Sequence, residues 1–363
     1  SKENRSISKE MKIVHVAPFY YPVIGGVEEV VRHVAEYMAG RGYDVYVITY
    51  NRLRRGGIDS LPREEVINSV KVVRLKPRII WSYGSYSPEL PEVIRALKPD
   101  VVHVHVWRHP HVFQVAKLKR SVGFKALLQG HAPFYKLSQL GFVAWMYHRL
   151  VDLFGKNYIS AYDVYIALTM FESKIIVGMG VERDKIVNIP NGINDECNVD
   201  FDAKIENQIL YLGRISKSKN LTLLFKSLKY VVKEARKIKL VLAGPDEGLV
   251  EKLINNAKKQ GVDIRYMGEV SEKIKHKLYL ESSIYALPSL YEGFGLTLLE
   301  AGIHGTPSVI TGSGGQIEAA PPGLASLWAE PRPEKYGEAL ATLLTNEELR
   351  RKLSLQAREW AQK

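Results

Sequence analysis

Cysteine is nearly absent: of 363 residues, only Cys197 carries a thiol. One thiol cannot build a disulfide framework or a Cys-rich zinc site, and it suits a reducing compartment. No run of about eighteen or more apolar residues occurs, the length a membrane-crossing helix needs. Residues 1–10, SKENRSISKE, are polar and lack the apolar core of a secretory leader, so the expected location is cytoplasmic. Zinc knuckles, recognition helices and other nucleic-acid motifs are missing as well, so nucleic acid is not an expected partner.

What is present is a globular composition, 46% hydrophobic and 25% charged. A chain of 363 residues exceeds one ordinary core and fits two domains of about 150–200 residues. The net charge of +12 suits an anionic membrane surface, phosphorylated small molecules or a basic solvated surface with no dedicated role, and charge alone does not choose among them.

Both halves repeat one grammar: a β-branched run, a Gly or Pro turn, then an amphipathic helix. In the first half, strands are expected at 11–17, 43–49, 70–75, 100–106, 125–129 and 163–168. Helices are expected near 27–39, 88–97, 110–120, 140–158 and 169–179. The stretch PNGINDECNVDFDAKIEN has no periodicity and reads as a linker. The grammar then restarts, with strands at 208–212, 239–243, 263–267, 283–287 and 307–310 and helices near 220–234, 248–259, 271–279, 296–304 and 334–344. Strand–helix alternation of this length implies parallel sheets covered on both faces. The expected organisation is a polar tail (1–10), a first domain (11–190), a linker (191–207), a second domain (208–345) and a C-terminal helix (346–363). Both domains are α/β and doubly wound, and ligands of such sheets sit beyond the carboxyl ends of the strands, in a cleft between the two.

The most informative segment is SLYEGFGLTLLEA, residues 289–301. It leaves a strand and enters a helix with Gly293 and Gly295 at the turn. Glycines there let a ligand approach the backbone, and the helix's first N–H groups favour an anion. Glu292 and Glu300 bracket the turn and can accept hydrogen bonds from sugar hydroxyls.

With seven residues between them, Glu292 and Glu300 resemble the E-x7-E signature of the retaining enzymes of glycosyltransferase family 4. Other segments extend the resemblance in order: Tyr21-Pro22-Val23-Ile24-Gly25-Gly26, Ile189-Pro190-Asn191-Gly192-Ile193, Gly213-Arg214 followed by Lys219, Leu242-Ala243-Gly244, and Met267-Gly268-Glu269-Val270. The resemblance implies the GT-B architecture, two Rossmann-like domains with an interdomain cleft. The first domain would take the acceptor and the second a nucleoside diphosphate sugar. Arg214 and Lys219 would bind the diphosphate, a task suited to a forked guanidinium and an ammonium; Lys217 is a rival by position. Glu300 would hold the ribose and Glu292 the sugar. Phe294, Gly295, Leu296 and Thr297 would offer backbone N–H groups, Met267 and Val270 would line the nucleobase side, and Gly25 and Gly26 would meet the same diphosphate. His131, in QGHAPF, matches the family's active-site histidine. His131, Glu292, Arg214 and Lys219 are thus the expected catalytic set.

The implied reaction moves a hexose to an acceptor hydroxyl, on a glycan, glycolipid or lipid-linked oligosaccharide, with retention. A UDP-sugar is expected ahead of a GDP- or ADP-sugar, with no cofactor and no metal. The alternatives are a sugar-nucleotide epimerase or hydrolase of the same architecture, or a non-catalytic nucleotide-sugar binding protein.

Several signals are set aside. Gly293-Phe294-Gly295 and Gly312-Ser313-Gly314 both lack the third glycine of a dinucleotide fingerprint. Asp200-Phe201-Asp202 spells D-x-D, but within the linker. His103, His105, His109 and His111 look like a metal cluster, and a strand points the first two to one face, yet no nearby carboxylate completes a ligand set. The aromatic-rich 140–158 helix, with Arg149 and Lys156, fits either a packed helix or peripheral contact with an anionic membrane.

Overall fold

In this computed structural model the described residues are 11–54, 56–81, 84–132, 134, 141–194, 203–257 and 260–363. The tail, Cys197, the D-x-D triplet and part of the expected linker lie outside them. The chain divides into two compact units, Ser1–Pro190 and Asn191–Lys363.

The first unit is built on β1 (Lys12–Val16), β2 (Asp44–Tyr50), β3 (Glu64–Ile67), β4 (Val70–Leu75), β7 (Val101–His105), β8 (Lys125–Gln129), β9 (Val164–Ala167) and β10 (Ile186–Asn188), with a small antiparallel pair, β5 (Ile79–Trp81) and β6 (Gly84–Tyr86). Its main sheet runs β10-β9-β8-β7-β1-β2-β4-β3, parallel except for β3 against β4. The helices are α1 (Gly26–Gly40), α2 (Leu90–Leu97), α3 (Pro110–Lys119), α4 (Phe142–Ile159) and α5 (Met170–Gly178). Alternation along the strands does the sorting. Val14, Val16, Val102, Val104 and Leu128 join Trp107 and Val112 in one core, while Val45, Val47, Val70 and Val72 meet Val31 and Ala35 of α1 in another. Burying each such side chain contributes about 1.5–3 kcal/mol. The same period of two sends His15, His103 and His105 away from the first core.

The second unit carries β11 (Ile205–Leu212), β12 (Lys239–Ala243), β13 (Asp263–Tyr266), β14 (Ser282–Leu287), β15 (Ser308–Ile310) and β16 (Ser326–Trp328) in the order β13-β12-β11-β14-β15-β16. Every neighbouring pair is parallel. Helices α6 (Leu221–Glu234), α7 (Val250–Ala257), α8 (Glu272–Glu281), α9 (Leu296–Ile303), α10 (Gln316–Ala319), α11 (Pro333–Thr345) and α12 (Glu347–Ala361) complete it. From β11 the order runs one way through β12 and β13; β14 starts the run the other way. The switch point between β11 and β14 is where open parallel sheets bind ligands.

Some boundaries differ from the sequence expectation. β11 begins at Ile205, inside the expected linker, and its register against β14 shifts between Ile205 and Ile209, with Asn207 at φ 57°. An irregular strand start has no clean alternation to read. The short β3, β5, β6, β10 and β16 were not expected; β3 is an edge strand whose side chains alternate between exposed and half-buried, and β16 follows Pro321 and Pro322.

Candidate active site

The loops that leave β11 and β14 carry the chemistry of the second unit. β11 ends at Leu212, and Gly213 (φ 147°), Arg214 and a short turn at Lys217–Lys219 lead into α6. β14 ends at Leu287, and Tyr291 to Gly295 lead into α9. Because the two strands are neighbours, with Leu210 opposite Tyr285, the two loops meet. Lys219 Nζ donates to Glu292 Oε1 at 2.6 Å, with the side chains 21% and 13% exposed. A charge-assisted bond of that length is among the strong ones.

Arg214 reaches Glu247 only at 3.4 Å, and both side chains are well exposed. Exposed pairs of this kind hold weakly, so the guanidinium can exchange Glu247 for a phosphate. A concavity lined by Arg214, Ser216, Lys217, Ser218, Glu247 and Leu249 opens beside it. The structure therefore puts Lys217 beside Arg214 and commits Lys219 to Glu292.

At α9, Gly295 is the N-cap at φ 101°, a left-handed conformation that favours glycine, and the first turn holds no acid. The N–H groups of Leu296 and Thr297 thus start a helix whose positive end no side chain of that turn offsets. Phe294 is buried behind the turn. The turn is braced by the Gly312–Gly315 loop: Glu292 bridges Gly314, and Gly315 N donates to Glu292 O at 2.8 Å. Gln316 Oε1 fixes that loop by accepting from the backbone N–H groups of Thr311 and Gly312, each at 3.0 Å.

Two buried tyrosines form the floor. Tyr211 donates to Arg214 O at 2.7 Å and Tyr285 to Leu212 O at 3.0 Å. Burial first, then Tyr285 and Glu292, push the Tyr211 phenol well above its ordinary value, so it stays a neutral donor. Glu300 accepts from Tyr279 at 2.9 Å and pairs with Lys275 at 2.8 Å. Lys275 stands on α8, directly after the loop with half-buried Met267 and Val270. Gly244 N donates to Gly268 O at 2.7 Å, tying that loop to the end of β12. Sequence reading passed over Tyr211, Tyr285, Tyr279 and Lys275; the tyrosines' positions on buried strands and a helix face were the available signal.

In the first unit, Gly25 is the N-cap of α1 and Gly26 its first residue. Glu28, 3% exposed, accepts from Arg54 at 2.5 Å, and a Cβ on Gly25 would stand 2.2 Å from Glu28 Oε2. A side-chain carboxylate thus already lies against Gly25. His131 follows β8 at φ 60°, with Ala132 at 49°, a conformation uncommon outside glycine and frequent at functional sites. Glu172 Oε1 anchors that loop by accepting from Ala132 N at 3.0 Å and Tyr165 OH at 2.7 Å. Burial, then the His103 ring, hold the half-buried His131 down to about 3, so at neutral pH its ring is uncharged. Its Nε2 meets His105 Nδ1 at 3.1 Å, and His105 Nε2 meets His15 Nδ1 at 3.0 Å. His15 Nε2 and His103 Nε2 are buried without a hydrogen-bond partner, a condition that costs about 1–3 kcal/mol per atom. His15 had gone unnoticed because it is 88 residues from His103 in the chain; β1 and β7 pair them directly.

Among the described residues, no helix is long and apolar enough to cross a membrane.

Two family models match the chain: Glycosyltransferase Family 4 over residues 24–196 and Glycosyl transferases group 1 over residues 199–360. An uncharacterised glycosyltransferase of Methanocaldococcus jannaschii is 28% identical over 350 residues, 89% of this chain and 86% of its own length. A GDP-mannose:cellobiosyl-diphosphopolyprenol alpha-mannosyltransferase of Komagataeibacter xylinus is 25% identical, over 80% of this chain and 73% of its own. Among solved structures, sucrose-phosphate synthase of Thermosynechococcus elongatus matches with a TM-score of 0.79 at 19% identity, over 97% of this chain and 94% of its own. Two Rossmann-like units, family models that between them span both and relatives that transfer sugars agree: the chain belongs to the GT-B glycosyltransferases of the family 4 type.

Proposed function

We propose that the protein transfers a hexose from a nucleoside diphosphate sugar to an acceptor hydroxyl with retention at the anomeric carbon. The observation that carries this is the meeting of Lys219 and Glu292 at 2.6 Å, next to a helix start whose first turn holds no acid. The diphosphate takes the α9 N–H groups, Arg214 and Lys219; the sugar hydroxyls take Glu292, and the ribose takes Glu300 in exchange for Lys275. As the bond from the anomeric carbon to the diphosphate breaks, the two cations stabilise the charge gathering on the leaving oxygen. The acceptor oxygen bonds to the same face of that carbon and its proton passes to the diphosphate, so no metal enters the step. Neutral His131, in the acceptor-binding first unit, offers a hydrogen bond to the sugar.

A panel of UDP-, GDP- and ADP-sugars read by thermal shift tests the donor assignment. One nucleotide is expected to raise Tm, and a donor at a hundred times its Kd adds about 2.7 kcal/mol to stability. Our expectation is a UDP-sugar, although the K. xylinus relative is named for GDP-mannose. No shift with any of the three removes the assignment.

We also assign a lipid-linked acceptor, reached at the surface of an anionic bilayer on the cytoplasmic side. On α4 only His148, Gly155 and Ile159 are buried. Val143, Met146, Leu150 and Leu153, at helical spacing, and Phe142 and Phe154 beside them, are exposed, Val143 by 82% and Phe154 by 73%. Exposed apolar stripes of this kind mark interaction surfaces. Exposed Arg149 and Lys156 flank this one, on a chain of net charge +12. In co-sedimentation with phosphatidylglycerol vesicles, Leu153→Glu together with Phe154→Glu is expected to reduce binding about tenfold or more at unchanged Tm. Equal sedimentation of variant and parent would remove the bilayer from the reading.

A further inference from the structure

We propose that His15, His103 and His105 form a binding site for a transition-metal cation inside the first unit, separate from the donor site. The three residues are 1%, 8% and 0% exposed, and one ring nitrogen from each lies within 4.8 Å of the other two. Their backbone positions are fixed by the sheet. His15 and His103 are opposite each other on β1 and β7, and His105 follows two residues later on the same face. Ligands on rigid strands are placed more tightly than ligands on loops.

A chain of N–H···N bonds through His15, His105 and His131 accounts for the 3.0 and 3.1 Å contacts. It leaves the buried His103 Nε2 unexplained. A cation held by that nitrogen together with His15 and His105 satisfies it. Around a tetrahedral ion with nitrogens at about 2.0–2.1 Å, ligand atoms stand roughly 3.3 Å apart, and His15 Nδ1 and His105 Nε2 are already at 3.0 Å. The geometry also comes with outer support: the Gln129 side chain hydrogen-bonds His103 and His131 meets the far side of His105. Partners of this kind orient ligand imidazoles. Three imidazoles bring no oxygen atom and no negative charge. Such a set selects a borderline cation, Zn²⁺, Ni²⁺ or Co²⁺, over Mg²⁺ or Ca²⁺.

The test uses the full chain, prepared without a histidine tag, stripped with chelator and then titrated with Zn²⁺ or Co²⁺. One ion per chain is expected to survive gel filtration and to raise Tm. His15→Gln and His103→Gln are each expected to weaken uptake at least about tenfold, while His33→Gln, at an exposed site on α1, leaves it unchanged. X-ray absorption at the zinc edge of the unmutated protein counts imidazole ligands even if a variant fails to fold, and three nitrogen-bound rings are expected. Zinc lost on gel filtration, uptake insensitive to both buried substitutions, or a ligand shell without three imidazoles would overturn the site. None of these readouts involves the donor, so the donor assignment stands or falls separately.

Discussion

Lys219→Ala is expected to lower turnover of the donor about 10²–10³-fold, the loss seen when a preorganised group facing transition-state charge is removed. Two effects act together. In the proposed reaction, the ammonium would no longer meet the charge that builds on the leaving diphosphate. Glu292, 13% exposed and now without its partner at 2.6 Å, turns a carboxylate toward the proposed diphosphate site. Partial exposure screens that second effect, so the catalytic loss outweighs any loss of stability. Lys219→Arg keeps the charge and is expected to recover part of the rate. Lys217→Ala separates the rivals, because Lys217 and Arg214 share the neighbouring concavity: it is expected to weaken donor binding modestly and leave the chemical step in place. Initial rates at saturating donor, with affinity measured in parallel, check both. A Lys219→Ala enzyme at the parent's rate, or a Lys217→Ala enzyme without chemistry, reverses the assignment of the two lysines.

The sequence showed the architecture well because the buried strands of doubly wound sheets are continuous apolar runs, and their helices have period and caps. KLVLA of β12 and SIYAL of β14 admit few other readings. Short or edge strands did not show: β3 alternates exposed and half-buried positions with two leading glutamates, a pattern loops also show. In the site, Arg214, Lys219, Glu292 and Glu300 were legible as a motif, but their partners were not. Lys275 reaches Glu300 from a helix that begins 24 residues before α9, and nothing local announces the pairing. His131 was visible, whereas the imidazoles behind it depend on strand order, which brings β1 beside β7. Pairings across a sheet follow from topology, and a linear reading has access only to neighbours along the chain.

The Gly312–Gly315 loop shows the same limit and supports the last prediction. On sequence, its glycines served only to reject a dinucleotide fingerprint. In the structure, a Cβ on Gly314 would stand 2.1 Å from Glu292 O and 2.9 Å from the Tyr291 ring, and the residue has φ +70°. The oxygen cannot retreat, because it accepts from Gly315 N at 2.8 Å. Relief must come from moving the Tyr291–Gly295 turn, and with it Glu292 and the start of α9. Gly314→Ala is therefore expected to lower donor affinity at least about tenfold, or 1.4 kcal/mol, on top of about 1–2 kcal/mol of left-handed backbone cost. Gly323→Ala provides the comparison: its φ is +78°, yet nothing lies within 4 Å of the added carbon. It carries the backbone cost without the collision, so it is expected to lose stability while keeping donor affinity. Denaturant unfolding and donor titration of the two variants separate strain from displacement. Equal donor affinity in both would mean that the turn holds its shape without the glycine loop beneath it, and that α9 presents its N–H groups by its own packing.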